Sequence, residues 1–242
     1  MLDREGVTPL YIQLMNLLGD NIRKGNLVPG ERLLTEVEMA REYDVSIVTV
    51  RNAIGELIDK GLVERQQGKG TFVTKPKLTK DIRKLQSFTE MCFRMGVRPG
   101  GKMLENKLVI SNEKIAKQLR IERNDHVVYI SRVRYADGDP VVIEKNYFPL
   151  EYAFLLGEKF DNNSLFEFIK DKNKTEVAIS EKRIEICRAT AEEAEILNIR
   201  KGDSLLYIKS VAYTRDNEPI YAGTQIINGE RFSLYVYEAT GV

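Results

Sequence analysis

Residues 43–73 read YDVSIVTVRNAIGELIDKGLVERQQGKGTFV, and this stretch decides the architecture of the N-terminal part of the chain. Ser46 is a favoured N-cap residue type placed directly before a run in which Val50, Ile54, Leu57 and Ile58 recur at helical spacing. Gly61 closes the run with a residue that accepts left-handed dihedrals. Residues 62–65 and 71–73 are then short strand candidates around Gln66-Gln67-Gly68-Lys69-Gly70, whose glycines permit a tight tip and leave Lys69 free to project. Upstream, Asp44-Val45 makes a short break, and Thr35 and Glu38 stand in capping-box spacing. That spacing predicts a helix over about 36–43, with Val37, Met39 and Ala40 available for packing. Before the turn at Val28-Pro29-Gly30, Leu10, Ile12, Leu14, Leu17, Leu18 and Ile22 predict a first helix that stops at Lys24-Gly25.

Three helices, the last two joined by a tight turn, followed by a hairpin have the proportions of a winged helix-turn-helix. Such a unit presents the N-terminal end of its third helix, here Ser46, Ile47, Thr49 and Arg51, to the major groove. Thr35 opens the helix before it, and Gln67, Gly68 and Lys69 form a wing that follows phosphates or the minor groove. A trihelical packing domain with an ordinary hairpin turn satisfies the same periodicities.

The net charge of +1 over 242 residues argues against nucleic acid only if charge is spread evenly. It is not: Lys60, Arg65, Lys69, Lys75, Lys77 and Lys80 face Glu64 alone between positions 60 and 80. With 43% hydrophobic residues, the chain can bury two cores. The expected division is a DNA-binding domain over 1–74, a linker over 75–84 and a second domain over 85–242. The linker expectation rests on the polar, proline-interrupted run Thr74-Lys75-Pro76-Lys77-Leu78-Thr79-Lys80. No stretch approaches the roughly 18 apolar residues of a membrane span, and the start lacks a signal peptide's order of charge and apolarity. A cytoplasmic protein without a membrane partner is expected. Cys92, Cys187 and the single His126 have no metal-ligand spacing, so neither metal nor other cofactor is expected.

Residues 9–73 resemble, along their whole length, the DNA-binding domain of the GntR family of bacterial regulators. The resemblance is carried by Leu27-Val28-Pro29-Gly30-Glu31-Arg32-Leu33, by Val45-Ser46 with Thr49-Val50-Arg51, by Gly61-Leu62-Val63 and by Gln67-Gly68-Lys69-Gly70-Thr71-Phe72-Val73. It implies that Arg51 and the wing around Gly68-Lys69 touch DNA. Two positions depart from the family pattern. Ile47 and Val37 stand where arginines are common, directly after Ser46 and Glu36, which removes two guanidiniums suited to guanine. Ile47 either meets a thymine methyl group or packs inward with Val37.

The second part of the chain repeats itself. Leu119, Ile121, Asp125, Tyr129, Ile130, Val133 and Tyr135 are matched in order and spacing by Leu197, Ile199, Asp203, Tyr207, Ile208, Val211 and Tyr213. Each copy reads as helix, turn, strand, hairpin, strand. With added strands near 102–109 and 181–187, a roughly six-stranded antiparallel sheet with packed helices follows, so the class is α+β. Arg132 and Arg134 have Ser210 and Ala212 as counterparts, so the repeated unit itself does not demand arginine there. Both arginines share one strand face, and a three-residue turn would set Glu144 opposite Arg132. The trio is either a solvated surface ion pair or an anion pocket.

Leu85-Gln86-Ser87-Phe88-Thr89-Glu90, Arg132-Val133-Arg134-Tyr135-Ala136-Asp137-Gly138 and Glu144-Lys145-Asn146-Tyr147-Phe148-Pro149 resemble the UTRA effector-binding domain of the HutC subfamily. The resemblance implies a chorismate-lyase-like fold that binds phosphosugars or amino-acid derivatives, in dimeric repressors released from operator DNA by the small-molecule effector. It places Ser87, Phe88, Arg132, Arg134 and Glu144 around the ligand, with Tyr221 and Tyr235 as further candidates. Phe232 stands where tyrosine is frequent and would remove a polar contact there. An enzyme is the rival suggested by the fold, but no Ser/His/Asp set, metal cluster or phosphate loop is visible. An architectural DNA-binding protein without a ligand is the other. The expectation is a transcription regulator and not an enzyme, a homodimer on an approximately palindromic operator.

Overall fold

The computed structural model describes residues 2–4, 7–75 and 77–238. The chain divides into two compact units, Met1–Pro76 and Lys77–Val242.

The first unit contains α1 (Leu10–Arg23), α2 (Glu36–Glu42), α3 (Ile47–Asp59), β1 (Val63–Gln66) and β2 (Gly70–Val73). The Thr35 hydroxyl accepts from Glu38 N at 3.3 Å while Glu38 Oε2 accepts from Thr35 N at 2.7 Å, a complete capping box on α2. Ser46 Oγ caps α3 by accepting from Thr49 N at 3.0 Å. The inner face of α3, made of Val50, Ala53, Ile54 and Leu57, is closed off from solvent and packs with Leu14, Leu18 and Met39. Complete burial of Ile54 or Leu57 contributes roughly 1.5–3 kcal/mol each. Val37 is 46% exposed and Ile47 42%, so neither packs inward. The segment after Pro29 is more than a turn: Gly30 N and Leu33 N donate to Val73 O and Thr71 O, adding a short third strand to the β1–β2 hairpin.

The second unit runs β3 (Leu78–Asp81), α4 (Phe88–Arg94), β4 (Pro99–Ile110), α5 (Glu113–Leu119), β5 (His126–Ala136), β6 (Asp139–Phe148), a 3-10 turn (Leu150–Leu155), α6 (Leu165–Asn173), β7 (Ile179–Arg188), α7 (Ala191–Leu197), β8 (Ser204–Tyr213), β9 (Pro219–Asn228) and β10 (Phe232–Tyr235). Six strands form one antiparallel sheet in the order β4-β5-β6-β9-β8-β7. The internal repeat is visible in the backbone. Asn112 and Thr190 cap α5 and α7, and Arg120 and Asn198 end them in the left-handed conformation. Asp125 and Asp203 then accept from the main-chain N–H of Glu122 and Arg200. The two copies meet where β6 pairs with β9, and α5 and α7 cover one sheet face through clusters around Leu119 and Leu197.

The expected linker contains structure. Residues 78–81 form β3, which pairs in parallel with β10 from Leu78↔Phe232 to Asp81↔Tyr235. Leu78 and Phe232 are buried together with Met91 and Cys92. Phe232 is therefore a core residue and not a replaced ligand contact. Pro76, within the same expected linker, lies outside the described residues. Cys92 is buried and Cys187 partly so, both as free thiols. Among the described residues, no helix is long and apolar enough to cross a membrane, and no group of His, Cys, Asp and Glu is arranged to hold a metal ion.

Candidate functional site

In the first unit, α3 leaves Ile47 and Val48 exposed at its N-terminal end, with Val48 at 62%. The hydroxyls of Ser46 and Thr49 lie 2.8 Å apart and are occupied with each other. Arg51 is solvent-facing but engaged: its Nε and Nη2 donate to Glu36 Oε2 at 3.1 and 3.0 Å, while Arg65 Nη2 donates to Glu36 Oε1 at 2.6 Å. At this exposure such a pair is worth at most about 1 kcal/mol, so a phosphate or base edge can displace it. Gln67, Gly68 and Lys69 are exposed at the hairpin tip, where Gly68 and Gly70 take φ of +74° and +126°. Thr35 is exposed but serves as the cap of α2.

In the second unit the site begins with strand register. Arg132 pairs with Glu144, Glu144 with Gln225 and Gln225 with Ile208, so these residues form one row on one sheet face. The register follows from a two-residue turn at Asp137-Gly138, both at positive φ, plus a bulge between Arg134 and Tyr135, instead of a three-residue turn. The bulge contributes the extra residue that the shorter turn omits.

The row is buried. Arg132 and Arg134 are each 2% exposed and Glu144 4%, which removes the solvated surface pair as a description. Arg132 Nη2 donates to Glu144 Oε2 at 2.7 Å, and its Nη1 donates to the main-chain oxygens of Asn163 and Phe160 at 3.3 and 3.4 Å. Gln225 Nε2 donates to Glu144 Oε1 at 3.2 Å. Burial raises the Glu144 pKa, but Arg132, Arg134 and the two hydrogen bonds overcome it and hold the carboxyl below its ordinary value of 4.5. Arg134 Nη2 donates to Thr89 Oγ1 at 2.9 Å, and its guanidinium lies 4.9 Å from the Phe88 ring centre. The Nε of Arg134 is buried without an acceptor.

Above this face lies a cavity of about 280 Å³. It is bounded by the α4 N-terminus, α6 and the segment through Val177, and the strands supply its floor. Ser87, Phe88, Glu144 and Tyr221 line it, as does Gln86. Arg132 and Arg134 do not: they sit behind the lining, with Arg134 reaching it through Phe88. Tyr235 is 49% exposed on β10 and is not part of the cavity. Ser87 uses its hydroxyl as the cap of α4. Burial pushes the Tyr221 phenol up to about 12, so it remains a neutral hydrogen-bonding group.

Sequence reasoning missed Lys80, Lys182, Ser210 and Gln225, all in the lining. Lys80 counted toward the basic run near the wing, yet β3 carries it into the second unit. A signal existed: Lys182 and Ser210 lie on strands of the repeat with Lys182 opposite Ser210, and the alternation of β7 marks which face each occupies.

Comparison with known proteins gives the same division. The bacterial regulatory proteins of the gntR family match residues 10–73, and the UTRA domain matches residues 94–233. The chain is similar to the HTH-type transcriptional repressor NagR of Bacillus subtilis, 33% identical over 98% of this chain and 97% of that protein. It is also similar to a probable fructoselysine utilization operon transcriptional repressor of Escherichia coli, 28% identical over 97% and 96%. Among solved structures, PhnF from Mycobacterium smegmatis superimposes with a TM-score of 0.68 at 25% identity, covering 96% of this chain and 100% of that one.

Proposed function

Because this chain belongs to the gntR family of bacterial regulatory proteins and carries a UTRA domain, we propose that it is a homodimeric repressor released from its operator when a small anionic molecule enters the cavity. The chain is a DNA-binding transcription regulator and not an enzyme. The observation that carries the effector reading is the buried row Arg132–Glu144–Gln225 beneath the cavity. Evolving a buried ion pair costs desolvation that apolar residues would avoid, so its presence under an open cavity favours recognition over simple packing. Arg134, with an unpartnered buried donor behind Phe88, supplies positive charge for a phosphate or carboxylate. Arg132 is committed to Glu144 and two carbonyls, and holds the loop at 160–163 in place.

The test combines thermal denaturation against sugar phosphates and amino-acid derivatives with operator binding followed by fluorescence anisotropy. A compound that raises the melting temperature should also lower operator affinity. If no compound does either, the protein is a ligand-independent DNA-binding protein instead.

The DNA interface is testable separately. Arg51→Ala should weaken operator binding by about 1–3 kcal/mol and relax selectivity at one base pair. Lys69→Ala should weaken all duplexes alike and reduce the slope of affinity against salt by about one ion. Titrations at several salt concentrations in which neither change matters would remove α3 and the wing from the interface.

Dimerisation through the C-terminal unit is supported by the two unpaired sheet edges. Leu104, Leu108 and Ile110 are exposed on β4, and Ile179 and Ile186 on β7. Two recognition helices should then address half-sites roughly 34 Å, or a multiple, apart. Sedimentation showing a monomer at micromolar concentration, with and without DNA, would overturn this assignment.

A further inference from the structure

The polar groups in the first two turns of α3 are mostly committed within the protein. Ser46 and Thr49 share a hydrogen bond between their hydroxyls, and Arg51 is held by Glu36. The exposed side chains left uncommitted there are Ile47, Val48 and Asn52. Val48 and Asn52, four residues apart, are stacked on one face of the helix, and Ile47 and Arg51 form the neighbouring column. Among the described residues, no hydrogen bond or ion pair engages the Asn52 amide. Packing of α3 does not use this face, since its core contacts are Val50, Ala53, Ile54 and Leu57. Glu56 follows Asn52 by one further turn, with Asp59 beyond it, and both are exposed.

Charge fixes which part of this face can approach a duplex. The carboxylates of Glu56 and Asp59 repel phosphates, whereas Arg51 and Arg65 lie beside the N-terminal end, so α3 enters a groove by its first turns. Branched aliphatic side chains pressed onto a G·C pair would strand guanine O6 and N7 or the cytosine amino group without a partner. The thymine C5 methyl is the apolar group that the major groove offers them. A free carboxamide suits the other half of the same pair, because adenine presents an amino donor at N6 and an acceptor at N7. An arginine at position 47 would instead favour guanine.

We propose that this face reads T·A base pairs: Val48, flanked by Ile47, packs on thymine C5 methyl groups, while Asn52 Nδ2 donates to N7 of a neighbouring adenine and Asn52 Oδ1 accepts from its N6–H. The proposal rests on the placement of α3 in the operator argued above and specifies the bases it meets. It gives Val48 and Asn52, which neither cap nor pack α3, the role of selecting sequence.

The experiment selects preferred duplexes from a random pool with the full-length protein, then measures affinity by fluorescence anisotropy after replacing single bases in the selected duplex. Deoxyuridine for thymidine deletes only the C5 methyl, and 7-deazaadenine for adenine deletes only the N7 acceptor. At one or two positions per half-site, loss of the methyl should weaken wild-type binding about fourfold, the worth of one buried methyl group. Loss of N7 at an adjacent pair should weaken it by about fivefold or more. The methyl dependence should disappear in Val48→Ser and persist in Val48→Ile, and the N7 dependence should disappear in Asn52→Ala. Melting temperatures of these variants should stay within a few degrees of wild type, because the positions are exposed. Selected sites with G·C pairs alone opposite α3, or methyl and N7 replacements without effect, would overturn the proposal. A methyl dependence that survives in both Ile47→Ser and Val48→Ser would do the same. Arg51→Ala separates the two levels of failure. Weaker binding by Arg51→Ala without any methyl effect overturns the base assignment alone, whereas no effect of either removes α3 from the interface and overturns both. Serine variants that alter the association state but not DNA binding would make the apolar face a protein contact and overturn it too.

Discussion

Arg132→Ala is expected to lower the stability of the C-terminal unit by about 3–5 kcal/mol, because it strands a buried carboxylate. The pair is 2% and 5% exposed at its side chains, and the variant leaves Glu144 with Gln225 as its one remaining hydrogen-bond donor. It also releases the carbonyls of Phe160 and Asn163. For a unit of this size the melting temperature should fall by about 6–20 °C. Replacing both partners, as Arg132→Met with Glu144→Leu, should recover much of the loss, since paired apolar groups avoid the desolvation cost. The wild-type pair also sets a pH dependence. The Glu144 pKa is lower folded than unfolded, so its contribution is complete above about pH 4.5 and disappears as pH falls through the folded value. In the Arg132→Ala protein this acid-side loss should weaken or reverse. A melting-temperature change under about 2 °C would mean that water reaches the pair in solution.

Arg134→Ala should leave the operator affinity of the free protein nearly unchanged while raising the effector concentration needed for release by about 10- to 150-fold. That range corresponds to losing the attraction of one buried positive charge behind the lining, which removes most of a typical coupling free energy. The result in a cell is a repressor that no longer responds. Ala212 occupies the equivalent place in the second repeat, so the fold itself accepts alanine there. The surroundings differ, however: Arg134 is buried, stacks on Phe88 and satisfies Thr89, and the variant should lose some stability as well. Anisotropy titrations of DNA binding, performed well below the melting temperature of each protein, separate the two effects. Equal release of both proteins would place the effector away from Arg134.

Much of the N-terminal unit was legible in the sequence because its determinants are local. Thr35 with Glu38 and Ser46 with Thr49 are each three residues apart, and the glycines at 25, 61 and 68 each end or turn the chain at their own position through a positive φ. The interface was less legible. Arg51 reads as a free base contact in isolation, but Arg51 of α3 and Arg65 of β1 converge on Glu36 of α2 only after the three elements pack. Val37 fits a packing position by periodicity, yet α2 has only seven residues and its buried contact is made by Met39.

For the C-terminal unit, the sequence by itself determined the repeat, the sheet class and the facing of Arg132 and Glu144, since hairpin register propagates from a nearby turn. It could arrive at that pair with the wrong turn because a bulge restores the residue that a shorter loop removes. Only the tertiary structure decided that the pair is buried, that the arginines stand behind the cavity lining, and that Lys80, Lys182 and Gln225 are part of that lining. β3 is four residues whose partner, β10, lies at the far end of the unit, and pairing over such a separation leaves no local periodicity to read. Burial likewise belongs to no single strand: a charged side chain on a sheet face is solvated or enclosed according to which helices cover that face, and here α4 and α6 do.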